Sequence, residues 1–389
     1  MWGIFILFSY APYDCPSIPY NISRLWCILG GSTGMMGEAM PELRRDPITG
    51  QWVAIATERA ARPESFLTTC APEEEGAWCP FCPDFTAQEE ELLAYRPPGA
   101  RPGDDSWTLR VLPNKYPAFT MSGGRYTDRR GLYESTAGLG AHEIIVYTRE
   151  HDRDLALATR QEATDLVRAC RTRMREHARH PRVEYVSIIC NHGAEAGATL
   201  RHPHCQLLAI PVLPNTIVAE LREAGYYYDT RAQCIFCAML KQEEEELGRV
   251  VWQNEAFVAF TPWASRVPFE VWILPRRHEA NFENILHDEI PQMGEILREV
   301  LARLYFGLNN PPFNFYVHTA PCQREGPRFY HWHVEILPRL THQAGFELST
   351  GLMINTVSPE DAAEFLRSVS PDIAEMPVAQ TPTPVLVTS

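Results

Sequence analysis

Apolar and polar positions along this chain follow two different periods. Residues 50–57 and 107–113 are short and β-like, and "AHEIIVYT" (141–148) is a strong strand pattern. In "DLALATRQEATDLVRACRTRMREHA" (154–178), Leu155, Ala158, Ala163, Leu166, Val167, Cys170 and Met174 recur at three and four. That spacing predicts an amphipathic helix. "VEYVSIICN" follows as a strand, "HGAEAG" as a Gly-rich turn, and "ATLRHPHCQLLAIP" (198–211) as a further strand.

The second half replays this order. "CIFC" answers "CPFC", "AFVAFTPW" and "FEVWILPRRH" form a strand pair, and residues 286–306 read as a helix ending near Gly307. "FNFYVHTAP" and "YHWHVEILPRL" close the series as strands. The repeat predicts an internal duplication, with domains at 40–215 and 216–370. The fold class expected is α+β, with antiparallel sheets and one long helix in each half. Residues 1–39 begin with a short apolar run that lacks a basic flank, and read as an N-terminal extension or a mis-set start rather than a signal peptide. Residues 371–389 read as a disordered tail.

Composition narrows the function classes. The 389 residues are 45% hydrophobic, enough for a sizeable core, and the formal net charge of -14 argues against a nucleic-acid partner. No run of 18 apolar residues occurs, so no membrane span is expected. The 11 cysteines are odd in number, and four form the pairs Cys79/Cys82 and Cys234/Cys237. In a chain of this size, that pattern points to metal sites in a reducing compartment.

The histidine-rich strand carries the candidate chemistry. Side chains two apart in a strand point the same way, so His202, His204 and Gln206 share a face while Pro203 and Cys205 point away. Three polar groups beside "LLAIP" are either satisfied polar residues at a sheet edge or a site. A neutral imidazole nitrogen can attack phosphorus and form a P–N bond that a second phosphate breaks. Its other nitrogen must then donate to something fixed. Gln206 would be a neutral donor to a phosphoryl oxygen. The small residues of "NHGAEAGAT" can bring backbone N–H groups near an anion.

Several segments in register carry a family resemblance. "RRDPITGQWVAIATERAARP", "CPFC", "LPNKYPAF", "YTREH", "NHGAEAGAT", "HPHCQ", "HWHVEILPRL" and "AGFELSTG" resemble the galactose-1-phosphate uridylyltransferase family, a branch of the histidine-triad (HIT) superfamily. The resemblance covers about 40–370. It implies two HIT-like domains and a ping-pong nucleotidyltransferase in which His204 becomes nucleotidylated by a nucleoside diphosphate sugar. Sugar-1-phosphate leaves, and a second phosphate takes the nucleotidyl group. Gln206, Asn191 and Thr199 fall on phosphate-contacting positions, as do Arg59 and Arg62; Asn114 falls on a nucleotide contact and Glu347 on a hexose contact. Cys205 stands where the family has Gly.

The resemblance also implies Zn2+ held by Cys79, Cys82, His151 and His202, with a structural role. His142 is a tempting alternative ligand, read instead as a surface or core polar residue. The duplication predicts a second site at Cys234, Cys237, His278 and His331, because His278 and His331 are spaced nearly as His151 and His202 are. Some relatives instead build that site from a Glu and three His, which here would be Glu220, His318, His331 and His333. His333 stands where His204 stands in the first half, but Glu335 replaces the Gln, which argues against a second nucleophile.

The expected reaction is uridylyl transfer from UDP-glucose to galactose-1-phosphate, in a cytoplasmic homodimer. Two departures weaken galactose: Thr341 and Met353 stand where galactose-handling relatives carry Lys and Gln. A related group transfers adenylyl groups and phosphorolyses ADP-glucose with inorganic phosphate, and is the alternative. A non-catalytic zinc-stabilised binding module would have no need of His204 beside Gln206. HIT hydrolases end the motif with a third His, so Gln206 favours transfer over hydrolysis.

Overall fold

The structure is a computed structural model. It describes residues 41–57, 79–83, 90–101, 104–122, 127–322, 326–371 and 383–385, all within one compact unit, Ala39–Ser389. The first half contributes β1 (Glu42–Arg45), β2 (Trp52–Ile55), β3 (Leu93–Arg96), β4 (Leu109–Pro113), β5 (Thr127–Arg130), β6 (Tyr133–Thr136) and β7 (Ala141–Val146). Helix α1 (Arg160–Ala178), β8 (Tyr185–His192) and β9 (His204–Ile210) follow. The second half contributes α2 (Asn215–Arg231), α3 (Ile235–Glu246), β10 (Val250–Gln253), β11 (Phe257–Phe260) and β12 (Val271–Pro275). Then come α4 (Glu289–Leu308), β13 (Phe313–His318), β14 (His333–Pro338), α5 (Gly345–Thr350), β15 (Met353–Asn355), α6 (Pro359–Ser368) and β16 (Thr383–Val385).

Among the described residues eleven strands form one sheet in the order β10-β11-β12-β14-β13-β8-β9-β7-β4-β3-β16, antiparallel throughout. The duplication is visible in that order. The triplet β12-β14-β13 answers β7-β9-β8, and the two meet edge to edge where β13 pairs with β8 and Asn314 lies opposite Asn191. A smaller sheet sets β2 between β1 and β15.

The long helices cover one face of the large sheet and pack on each other. Helix α1 starts at Arg160 rather than 154, because Thr159 and Glu162 form a capping box that satisfies two orphan N–H groups. Its Arg173 donates to Glu143 of β7. Glu143 alternates with His142 along the strand, so α1 lies on the face away from His142. Where α1 meets α4, Gly294 permits the approach: a Cβ there would sit 2.8 Å from the backbone of Ala163 and Thr164. Gly307 does not end α4. The helix runs on to Leu308 and closes with Asn309 at φ 57. Gly307 instead makes room for Phe365 and Val369, which a Cβ would meet at 2.9 and 2.8 Å.

Two features depart from the periodicity. Helices α2 and α3 add to the single helix expected in the second half. Their buried faces include Glu220 and Glu243, so the apolar period is broken by charge. Thr383–Val385, within the segment expected to be disordered, pairs antiparallel with β3 and covers its exposed edge. Among the described residues no helix is long and apolar enough to cross a membrane.

Candidate functional site

Strand register gathers the polar groups on one face. Across β7 and β9, Val146 is opposite His204, Ile144 opposite Gln206 and His142 opposite Leu208. Across β8 and β9, Ile189 is opposite Gln206. Opposed residues share a face, so His142, Asn191, His204 and Gln206 line the side of the sheet away from α1. Cys205 points to the other side, fully buried opposite Ile145 and Cys190. Its place beside His204 therefore leaves the polar face unchanged.

His204 is oriented by its own strand. Its Nδ1 donates to the His202 carbonyl at 2.8 Å, so the neutral ring carries its lone pair on Nε2. Among the described residues Nε2 has no hydrogen-bond partner. Burial pushes the ring's pKa down from its ordinary value, against the smaller opposing effect of the His202 carbonyl. The neutral, nucleophilic form is thereby favoured. The Phe81 ring packs on His204 at 5.1 Å between centroids.

The two amides near His204 are each held at one end. Gln206 Oε1 lies 2.8 Å from His142 Nε2. Asn191 Oδ1 accepts from Asn314 Nδ2 at 2.8 Å, and the same Nδ2 donates to the Ala196 carbonyl at 2.8 Å. Arg339 Nε in turn donates to Asn314 Oδ1 at 2.6 Å. The second half thus braces both Asn191 and the small-residue turn. That turn needs two glycines in the left-handed region, Gly193 at φ 81 and Gly197 at φ 85. Thr199 is exposed on the following bend. Asn114 keeps its Oδ1 on the Tyr116 N–H at 2.8 Å, with Nδ2 3.2 Å from His142 Nε2. Glu347 caps its own short helix, accepting from the Ala344 N–H at 3.0 Å. Met353 packs against Val53, Ile55 and Ala264. Arg59 and Arg62 lie outside the described residues.

Two Cys/His clusters stand at equivalent places in the two halves. Cys79, Cys82, His151 and His202 offer ligand atoms all within 4.8 Å of one another, as do Cys234, Cys237, His278 and His331. In the first, His202 Nε2 donates to the Thr148 carbonyl at 2.9 Å and turns Nδ1 toward the sulfurs of Cys79 and Cys82, at 3.7 and 3.6 Å. His151 Nδ1 stands 3.4 Å from Cys82 Sγ. In the second, His278 and His331 Nδ1 stand 3.2 and 3.6 Å from Cys237 Sγ. A tetrahedral zinc with ordinary Zn–S and Zn–N bonds sets these edges at about 3.6 Å. The donor sets therefore fit a tetrahedral metal.

A third buried group of candidate ligands lies beside the second cluster. Glu220, His318 and His333 come together with Glu335, while His331 stands with the cysteines. The alternative set of Glu220, His318, His331 and His333 is thus divided, because His331 precedes β14 on the cysteine side and Glu335 takes the fourth place. His333 mirrors His204 in donating Nδ1 to the carbonyl two residues back, at 3.1 Å from His331. Its Nε2, however, lies 3.3 Å from Glu335 Oε1, and Trp272 stacks on the ring. Burial alone would raise the Glu335 pKa, but Arg266 and His318 outweigh it and hold the carboxyl well below its ordinary range. The second-half imidazole is therefore tied to a carboxylate where the first-half one is open.

Sequence reasoning missed the partners that orient the amides. The sequence offers His142 as an alternative metal ligand or a polar residue, not as a partner of Gln206, and does not mark Asn314. Both act across strands, so only register reveals them. The shared Phe of "CPFC" and "CIFC" was a usable signal: Phe81 packs on His204 and Phe236 on His333, at 5.1 and 5.2 Å.

Comparisons with known proteins bear on the family. Residues 35–214 match the family described as galactose-1-phosphate uridyl transferase, N-terminal domain. Residues 132–375 match a domain of unknown function, DUF4921. The chain is 31% identical over 349 residues to ADP-glucose phosphorylase of Arabidopsis thaliana, covering 88% of this chain and 96% of that protein. It is 30% identical over 344 residues to galactose-1-phosphate uridylyltransferase of Thermotoga maritima, covering 86% of this chain and 100% of that protein. The crystal structure of the Arabidopsis ADP-glucose phosphorylase with bound ADP-glucose matches with a TM-score of 0.71 at 30% identity, over 85% of this chain and 99% of that one. With two such relatives matched along most of its length, the chain belongs to the galactose-1-phosphate uridylyltransferase family, alongside its ADP-glucose phosphorylase relatives.

Proposed function

We propose that this protein is a nucleotidyltransferase that carries a nucleotidyl group on His204 between a nucleoside diphosphate sugar and a second phosphate. The observation that carries this reading is the His204 tautomer: Nδ1–H is committed to the His202 carbonyl, and Nε2 of this largely buried ring keeps its lone pair. Nε2 attacks the α-phosphorus, the bond to the β-phosphate oxygen breaks, and sugar-1-phosphate departs with its electron pair. An acceptor phosphate oxygen then attacks the same phosphorus, and the P–N bond returns its electrons to Nε2. Gln206, Asn191, Thr199, Arg59 and Arg62 bind the phosphoryl oxygens, and Asn114 the nucleotide.

Zinc is the metal we assign to both Cys/His clusters. At the first it holds His202, fixing the carbonyl that orients His204; it takes no part in bond making. The halves 40–215 and 216–370 are the duplicated domains of a homodimer. A cytoplasmic setting is supported by the two Cys-x-x-Cys pairs, Cys79/Cys82 and Cys234/Cys237, which in a chain of this size suit metal sites in a reducing compartment.

Uridylyl transfer from UDP-glucose to galactose-1-phosphate is the first reading of the substrates, with Glu347 on the hexose. One observation favours the second, adenylyl transfer from ADP-glucose to inorganic phosphate. Met353, in the place of the galactose-handling Gln, is packed into an apolar cluster. The test is incubation with UDP-glucose and ADP-glucose labelled at the α-phosphate, followed by peptide mapping. Acid-labile, base-stable label on His204 is expected from one donor, discharged by galactose-1-phosphate or by inorganic phosphate. No label from either donor would sink the covalent route.

A further inference from the structure

We propose that His142 is a positioning residue for the transfer step, turning Gln206 so that its amide NH2 faces the phosphoryl group. The inference rests on the roles of His204 and Gln206 given above.

The Ala118 backbone N–H donates to His142 Nδ1 at 3.2 Å, so Nδ1 carries no proton. A neutral imidazole has one N–H, which must then be on Nε2. Nε2 lies 2.8 Å from Gln206 Oε1. It therefore donates to that oxygen, and a flipped amide would bring two donors together. With Nε2 protonated, the contact of Asn114 Nδ2 with the same nitrogen at 3.2 Å joins two donors and is not a hydrogen bond; the Ala118 N–H on Nδ1 and the Gln206 oxygen on Nε2 together set the tautomer. Register adds direction. His142 lies opposite Leu208, on the side of Gln206 remote from His204. The oxygen is drawn to that end, and the NH2 is left for the His204 end. Among the described residues the NH2 has no hydrogen-bond partner.

The second half shows the same device with the opposite outcome. Trp272 lies opposite Glu335 as Ile144 lies opposite Gln206, so Glu270 occupies the place of His142. Arg266 bridges Glu270 and Glu335. There the third-position side chain is a carboxylate whose charge is taken up internally. Only the first half holds this side chain by its acceptor end and leaves a donor free.

The test is the single-turnover rate of His204 labelling from UDP-glucose and ADP-glucose in His142→Ala, His142→Gln, Gln206→Ala and the His142→Ala/Gln206→Ala double variant. Losing an oriented donor slows a charge-developing step by about tenfold to a hundredfold. His142→Ala is expected to fall in that range with little change in nucleotide-sugar affinity. His142→Gln, which keeps an N–H near the position of Nε2, is expected to recover much of the rate. The double variant is expected to be no slower than Gln206→Ala. A merely structural role would slow both backgrounds alike and lower metal content. Losses that multiply in the double variant, or a wild-type rate in His142→Ala, overturn the inference while leaving His204 as nucleophile. A wild-type enzyme unlabelled by either donor overturns both.

Discussion

Replacing Arg173 with Met should cost far more than losing a surface ion pair. Arg173 Nε and Nη2 donate to the two oxygens of Glu143 at 2.8 and 2.5 Å, and His177 Nε2 stands 2.6 Å from the same carboxylate. Glu143 is 3% exposed and Arg173 5%. The variant strands a buried carboxylate with His177 alone, at a cost of about 3–5 kcal/mol. Urea unfolding at pH 7 reads this directly. The pH dependence has a definite sign. Burial would raise the Glu143 pKa, but Arg173 and His177 outweigh it and hold it below its ordinary value. In the wild type its contribution is therefore present above the unfolded carboxylate pKa of about 4.3 and lost as pH falls through the lower folded value. Without Arg173, burial raises that pKa, so the variant's deficit is largest at pH 7 and shrinks on acidification. The double change Glu143→Leu/Arg173→Met removes both charges and should cost well under the sum of the singles. A deficit below about 1 kcal/mol at pH 7, or one that grows on acidification, refutes the reasoning.

Other outcomes follow from single contacts. Gly294→Ala drives a methyl into the backbone of Ala163 and Thr164 and should cost about 1–3 kcal/mol, seen as a lower Tm. Cys82→Ser should halve the metal in purified protein, measured by elemental analysis, and slow His204 labelling by loosening His202. Asn314→Ala releases Asn191 and the Ala196 carbonyl together; labelling should slow by about tenfold, with Tm little changed. An unaltered rate would count against the brace from the second half.

The strands were legible because "VEYVSIICN" and "HCQLLAI" carry dense apolar runs, and α1 because its apolar positions recur at three and four. The first Cys/His cluster was legible through the family resemblance, and the second because its spacing repeats that of the first. Other features escaped for identifiable reasons. A buried Glu220 hides α2, since charge interrupts its apolar stripe. The division of Glu220, His318, His331 and His333 depends on which side of β14 each ring stands, a matter of three dimensions. His142 and Gln206 are far apart in sequence and meet only through antiparallel register. Glu335 is visible as a lost Gln, but its ion pair with Arg266 is not.

The pairing of β8 with β13 has a consequence for how the chain can be divided. Each strand satisfies half of the other's backbone donors and acceptors. A fragment ending before α2 would expose the Tyr185–His192 edge, and a fragment beginning there would expose Phe313–His318. Both edges are rich in buried apolar residues, the features that invite indiscriminate strand pairing. Tethering the two halves in one polypeptide keeps each edge beside its intended neighbour from the moment both are synthesised. The join thus protects the protein from aggregation during its own birth.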